Sequence, residues 1–486
     1  MRQGRKLWVL LVALATTAIM SAPAFAEVQN VKVGGDITVR GIWRANFDLS
    51  HDGNFTTNGL AALTDSTGAT DTTDAEKFIF SSIGINLTAD LTDNVSTDIR
   101  LINQRDWGAD GAGTNNDVKI ARAYVTMKEM LYSPLTVRIG RQPLWFGKGF
   151  IVGSRLLAGD TNPNADFSAT EFTDQTGFDA IRATLDYNPV TVDLVYAKIV
   201  EGLAASDGDI NLTGVNLGWK GSSMSSEAEV YYWNKYDAST RAITTGGGAG
   251  SMDANAGNVH TIGLRGSLEP IAHTSLWGEF AWQFGNQSGA VFTGRNSTSQ
   301  NAVAFDFGAD YTMADVAWTP KVGGEWIYYS GGSIGSPAGW DPIYRGKFDS
   351  LIREFQGATV GTSIYPTDQP LDTNSSTNEA QFALFAAAKP TDSIKWDGRL
   401  TWFVAPTALN INGNATSDDD RRRFLGTEVD NKLTYDYTED VQIGLIYGVF
   451  WPGTVYRNRP AAVGSRTSLG GRAIAQELVS TVSVKF

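Results

Sequence analysis

Apolar and polar residues alternate with a period of two along most of the chain, and outside the N-terminus no apolar run is long enough for a membrane helix. The last ten residues show the pattern: Leu478, Ser480, Val482, Val484 and Phe486 share one face of an extended strand, and Glu477, Val479, Thr481, Ser483 and Lys485 the other. The segment 31–47 shows it more sharply. Val31, Val33, Ile37, Val39, Trp43 and Phe47 lie on one side, and Lys32, Asp36, Thr38, Arg40 and Arg44 on the other. A one-residue slip would turn Lys32, Arg40 and Arg44 to the apolar side, at about 2–4 kcal/mol each if that side faces lipid near its midplane. The register is therefore strongly specified. About eighteen such runs follow one another, an even number as single-chain bacterial barrels require.

The connections between the runs alternate in length. Short turns at 92–94, 188–189, 221–223, 390–392 and 438–440 alternate with long polar segments at 49–76, 148–176, 237–257, 331–376, 405–424 and 452–471. Short turns on one side, long loops on the other and both termini on the short side describe an outer-membrane barrel, not a water-soluble sandwich. Tyr187, Trp219, Tyr311, Trp318, Trp396, Tyr437 and Phe486 fall near the short turns. Trp43, Tyr232, Trp282, Trp326, Trp402 and Trp451 fall near the long loops. Two belts of rings with apolar bodies and polar tips suit the two membrane interfaces.

The N-terminus has another character. Arg2, Arg5 and Lys6 precede an apolar stretch from Leu7 to Met20, and Ala24-Phe25-Ala26 forms a small-x-small site. This predicts a cleaved secretory leader over 1–26 and a single barrel domain over 27–486. The apolar stretch is shorter than the roughly twenty residues of a spanning helix. The chain has no cysteine, which removes disulfides, thiolate metal sites and a catalytic thiol. Its formal charge is −13, and without the three basic residues of the leader it is −16. Nucleic acid is an unsuitable partner for so acidic a surface.

The fold expectation is therefore an all-β transmembrane barrel of about eighteen antiparallel strands, wide enough to hold an aqueous channel. What such a lumen passes depends on its inward side chains. Arg40, Arg44, Arg100, Arg122, Arg138 and Arg182 alternate inward on strands one to six and form a basic arc. Glu229, Glu279, Asp306 and Glu325 sit on strands across the barrel, with Arg265, Lys321 and Arg399 among them. Guanidinium forks suit carboxylate or phosphate on a solute, and they suit salt bridges within the wall equally well, for example Arg182 with Asp186 or Arg399 with Asp397. The longest connection, 331–376, carries Trp340, Ile343, Tyr344, Phe348 and Phe355, more apolar surface than a solvated loop needs. It is expected to fold over or into the lumen as a lid. The three histidines, His51, His260 and His273, have no metal-ligand spacing, and no serine stands in a nucleophile motif. A channel is expected, with no catalytic residue, no metal and no cofactor.

One hairpin is more specific. The segment Leu425-Gly426-Thr427-Glu428-Val429-Asp430 runs on through Tyr435 to Gly444, Tyr447-Gly448, Phe450 and Pro452-Gly453. It resembles the signature hairpin of the alginate export porin family: an LGxExD strand, a short turn, and a strand ending in an aromatic residue and Pro-Gly. Weaker matches are Gly140-Arg141-Gln142 followed by Phe146-Gly147, and Trp340-Asp341-Pro342-Ile343-Tyr344. The resemblance implies an eighteen-stranded outer-membrane barrel and passage of an anionic polysaccharide through a basic lumen. It also implies that the terminal Phe486 is read by the barrel-assembly machinery. The exporters of the family plug their pore with a long periplasmic turn, whereas the turn here is only Thr438–Asp440. Two functions lead, ahead of an outer-membrane enzyme and of an adhesin or scaffold with a filled lumen. One is a porin for anionic or polar solutes such as sugars, oligosaccharides or sugar acids. The other is a dedicated exporter of an anionic exopolysaccharide such as alginate. Outer-membrane lipid is the expected surrounding in both.

Overall fold

The computed structural model describes residues 29–46, 49, 75–108, 117–155, 169–201, 209–238, 256–288, 297–332, 339–355, 377–410, 421–456 and 473–486. The leader 1–26 and His51 lie outside the described residues. The alternating runs become eighteen strands. They are β1 (Gln29–Ala45), β2 (Ala75–Thr92), β3 (Val95–Asp106), β4 (Lys119–Met127), β5 (Leu135–Gln142) and β6 (Phe178–Asp186). Next come β7 (Val190–Val200), β8 (Ile210–Lys220), β9 (Glu227–Asp237), β10 (Gly257–Leu268), β11 (Thr274–Ser288) and β12 (Ser297–Thr312). The last are β13 (Lys321–Tyr329), β14 (Glu379–Thr391), β15 (Ile394–Asn410), β16 (Arg421–Asp436), β17 (Val441–Pro452) and β18 (Ala475–Lys485).

Each strand pairs antiparallel with its sequence neighbours, and β18 returns to β1, from Asp36 opposite Lys485 to Ala45 opposite Gln476. Phe486 and Gly35 exchange backbone hydrogen bonds of 3.0 and 2.8 Å beyond that ladder. The sheet is therefore closed. Closure is required in hydrocarbon, where each unpaired backbone group of an open edge would cost several kcal/mol.

Burial runs opposite to that of a soluble protein. Ile37, Ile85, Leu264, Leu384, Leu445 and Val482 are exposed on the outer face, while Thr38, Gln104, Gln283, Thr401 and Glu428 are buried inside. Trp219, Tyr311, Trp318, Tyr437 and Phe486 are exposed at the rim of short turns, and Tyr232, Trp282, Trp326 and Trp451 towards the other rim. Among the described residues no helix is long and apolar enough to cross a membrane. Strands do the crossing.

Some strand ends differ from those read in the sequence. The β15–β16 ladder continues to Asn410 opposite Arg421, within a segment read as loop from 405 to 424. Antiparallel pairing satisfies the backbone whatever the side chains are, so a hairpin can outrun the bilayer on polar residues. β5 stops early, at Gln142 rather than near residue 147. Pro143 has no N–H for the ladder, and from there the chain turns into the barrel. Two segments go inside this way: 143–155 of the third loop, after β5, and 339–355 of the seventh, after β13. Leu144, Phe146, Phe150, Ile151 and Val152 from the former join Trp340, Ile343 and Tyr344 from the latter in one buried cluster with wall residues such as Phe178, Trp233 and Tyr329. The barrel thus has an apolar core in its lumen.

Candidate functional site: the constriction inside the barrel

The two infolded loops meet as backbone. Val152 and Tyr344 form a parallel bridge. The Tyr344 N–H donates to Ile151 O at 3.2 Å, Gly153 N–H to Tyr344 O at 2.8 Å, and Gly346 N–H to Gly149 O at 2.8 Å. Rings hold the bridge to the wall: Phe146 lies 4.8 Å from Trp233, Phe150 5.4 Å from Tyr329, and Phe178 5.8 Å from Tyr344. Of the five residues proposed as a lid, Trp340, Ile343 and Tyr344 are buried in this cluster. Phe348 and Phe355 stand half-buried with ring centroids 5.2 Å apart. Burying each large apolar side chain is worth about 1.5–3 kcal/mol, so the loop has a driving force to stay inside.

The inward arginines are mostly committed to carboxylates. Arg44 bonds Glu477 of β18 at 2.8 Å and also pairs with Glu171 of the third loop. Arg100 reaches Asp36 at 2.6 Å and Asp174 at 3.2 Å. Arg122 reaches Asp98 at 3.1 Å. Arg182 takes Asp193 at 2.8 Å, not Asp186; four residues along one strand are about 13 Å apart, and the cross-strand carboxylate is nearer. Two arginines differ. Arg138 lies 5.5 Å over the Tyr124 ring with no carboxylate partner among the described residues. Arg40 lies between the rings of Phe172 and Phe80, at 4.6 and 5.8 Å, with Asp174 and Glu171 within electrostatic reach, and its Nη1 has no hydrogen-bond partner among the described residues.

Across the barrel the partners come from elsewhere. Glu229 takes Arg265 at 2.7 Å, Glu279 accepts from the Tyr231 hydroxyl at 2.8 Å, and Lys321 meets Asp310 at 2.8 Å. Asp306 and Glu325 share the ammonium of Lys347, from the seventh loop, at 2.6 and 2.5 Å. Arg399 bonds Glu325 at 2.6 Å, so its partner is on β13 and not Asp397. His260 is on the outer wall, its Nδ1 2.7 Å from the Tyr232 hydroxyl and its ring stacked on Phe284.

Sequence reasoning missed two cations at the loop junction, Lys148 and Lys347. Gly147 puts the former in place: its φ is +54°, and a Cβ there would lie 2.6 Å from Arg265 Cδ, so only glycine lets the chain pass so close to the wall. The Lys148 ammonium then sits 3.3 Å from the centre of the Trp277 ring and has no carboxylate hydrogen bond among the described residues. Burial, with Lys347 beside it, brings its pKa down to about 8. Burial also works against the Lys347 ammonium, but Asp349, Asp306 and Glu325 outweigh it and its pKa is raised. The signal available in the sequence was the pair of short segments Gly147-Lys148-Gly149 and Gly346-Lys347-Phe348, a lysine beside tight-turn glycine in a loop otherwise rich in apolar residues.

A family model described as alginate export matches residues 29–469. The chain belongs to the alginate export family. No curated protein matches it. Solved structures share the fold of this alginate export family barrel at low identity. OccAB2 of Acinetobacter baumannii has a TM-score of 0.51 at 10% identity, covering 95% of this chain and 99% of that one. OccK2 (OpdF) of Pseudomonas aeruginosa, solved in complex with glucuronate, has a TM-score of 0.50 at 11% identity, covering 94% and 99%. The family and the closed eighteen-stranded sheet make this an outer-membrane protein of porin type.

Proposed function

We propose that this protein is a solute-selective porin whose third and seventh loops form the constriction, and that it passes small anionic or polar sugars, with sugar acids the best fit. The observation that carries the reading is Lys148. A π face holds its ammonium with no direct salt bridge among the described residues, although Asp306, Glu325 and Asp349 lie within electrostatic reach, and it stands next to Gly149, where the two loops join. A cation without a salt-bridge partner where the loops join favours an anionic group passing it. Arg138 and Arg40 extend that preference along the basic arc, whereas Arg44, Arg100, Arg122 and Arg182 serve chiefly to rigidify the wall. OccK2, a barrel of similar fold solved in complex with glucuronate, supports the choice of a sugar acid. Export of a polysaccharide is the weaker reading, because a continuous chain needs a clear bore and the loops join across this one.

The test is single-channel recording in a planar bilayer. Open conductance, anion preference and partial block by glucuronate are expected, with anion preference and block both reduced in Lys148→Met. A silent parent protein, or a cation preference insensitive to Lys148, would remove the reading. Assembly is a separate part of the proposal: Phe486, opposite Gly35 at the seam, is read by the barrel-assembly machinery as the closing residue. Phe486→Asp should reduce the heat-modifiable folded band while Phe486→Tyr keeps it; parental levels of folded Phe486→Asp would sink that part.

A further inference from the structure

The signature hairpin that marks the family is β16 and β17, and the function proposed above gives its acidic residues no part. Their surroundings give them one. Glu428 is fully buried, and its two carboxylate oxygens accept the backbone N–H groups of Ile352 and Arg353, each at 2.8 Å. Hydrogen bonds from N–H groups to a carboxylate are among the strong ones. Both donors belong to the turn 351–355 of the seventh loop. Opposite Asp430 stands Gly448, also a signature residue. A Cβ on Gly448 would lie 2.7 Å from Asp430 Oδ1, 3.0 Å from Leu351 Cδ2 and 3.4 Å from Ile352 Cδ1, so the missing side chain is the space the loop occupies. The Ile352 side chain fills a pocket among Leu49, Phe403, Leu425, Phe450 and Val455. Next to it Arg353 reaches Glu379 at 2.7 Å, and Glu354 accepts the Asp349 and Ser350 N–H groups at 2.6 and 2.8 Å.

We propose that Glu428, Asp430 and Gly448 form a receptacle that latches the seventh loop inside the lumen, so that the signature hairpin sets the bore of the channel through the loop it holds. These are positioning residues, since none of them needs to touch the solute. The receptacle explains why Glu428 faces inward beside a partner strand that carries glycine: its carboxylate meets main-chain N–H groups, which any loop sequence supplies, and Gly448, opposite Asp430, leaves room for Leu351 and Ile352. Residues far apart in the chain are thereby coupled, 351–353 with 428–448. The inference rests on the porin reading for its electrical readout and not for its geometry.

The experiment uses the full-length protein carrying Ser350→Cys as a reporter. The native chain has no cysteine, and Ser350 is 5% exposed. A membrane-impermeant maleimide labels this thiol slowly while the latch is closed. With Glu428→Ala added, labelling should rise at least about tenfold, the factor that 1.4 kcal/mol provides, and open-channel conductance and noise should rise together. Gly448→Leu should do the same by occupying the space of Leu351. In a protein lacking residues 340–355, Glu428→Ala should add nothing to the conductance. Where Glu428→Ala fails to give a heat-modifiable folded band, Ile352→Ser, which alters the loop alone, decides by the same two readouts. Labelling and conductance at parental values in the variants that fold would overturn the latch, even with an open channel. A protein silent both with and without residues 340–355 would instead count against the porin reading, and the labelling rate would still decide the latch.

Discussion

The two sides of the lumen use their charges differently. On the side of β1 to β7, arginines find carboxylates in the wall itself: Arg100 with Asp36, Arg122 with Asp98, Arg182 with Asp193. The third loop adds Glu171 and Asp174 to pairs that the wall has already made. On the side of β12 to β16, wall carboxylates are completed by the seventh loop. Lys347 serves Asp306 and Glu325, Arg353 serves Glu379, and two backbone amides serve Glu428. An inward charge with a wall partner stiffens the barrel; one whose partner arrives on a loop is a docking point. Lys235 on β9 follows the second pattern with the sign reversed, bonding Asp341 of the seventh loop through both oxygens at 3.1 Å.

That contrast predicts unequal effects from changes that look alike in the sequence. The largest belongs to Lys347→Met, which leaves Asp306 and Glu325, almost fully buried, without their shared ammonium. Breaking a buried pair from one side costs about 3–5 kcal/mol. The variant should lose heat-modifiable stability in gel-shift melting, or lift its seventh loop and conduct more with a shift towards cations. If Arg122→Ser had an equal effect, the two sides would not differ.

A smaller effect follows from pH. The Lys148 ammonium is protonated below its pKa of about 8 and neutral above it. Anion preference, read as the reversal potential in a salt gradient, should fall as pH rises through that value. A bound sugar acid favours the protonated form and should move the fall to higher pH. Lys148→Met should flatten the profile, and a profile unchanged by the substitution would assign the titration to another group.

The smallest effect is expected for Arg100→Ser and Arg122→Ser. Their partners stay half-buried and wetted by the lumen, so each should alter stability less than Lys347→Met does and the reversal potential only slightly. Arg44 is the exception on that side. Its partner Glu477 is fully buried, and Arg44→Ser should behave more like Lys347→Met in melting while leaving conductance close to parental.

Much of the barrel was legible from residues alone, because a lipid face and a lumen face impose the period of two locally, strand by strand. Val482 outward and Glu477 inward follow from alternation and the cost of charge in hydrocarbon, with no tertiary contact required. The count of strands follows for the same reason, whereas the hairpin at 425–453 was legible only as a resemblance to a family signature. The partners of the inward charges do not follow. Arg182 has Asp179 and Asp186 within four residues of it in the sequence, and only the register of β6 against β7 brings Asp193 to it. Lys148 lies in a loop whose direction depends on Pro143 ending a ladder and on Gly147 clearing Arg265. The apolar residues from 340 to 352 called for burial, yet no local pattern names what buries them. Alternation determined which residues face the lumen; the closed sheet, by bringing strands from opposite ends of the chain around two inserted loops, decided which of their charges pair with one another.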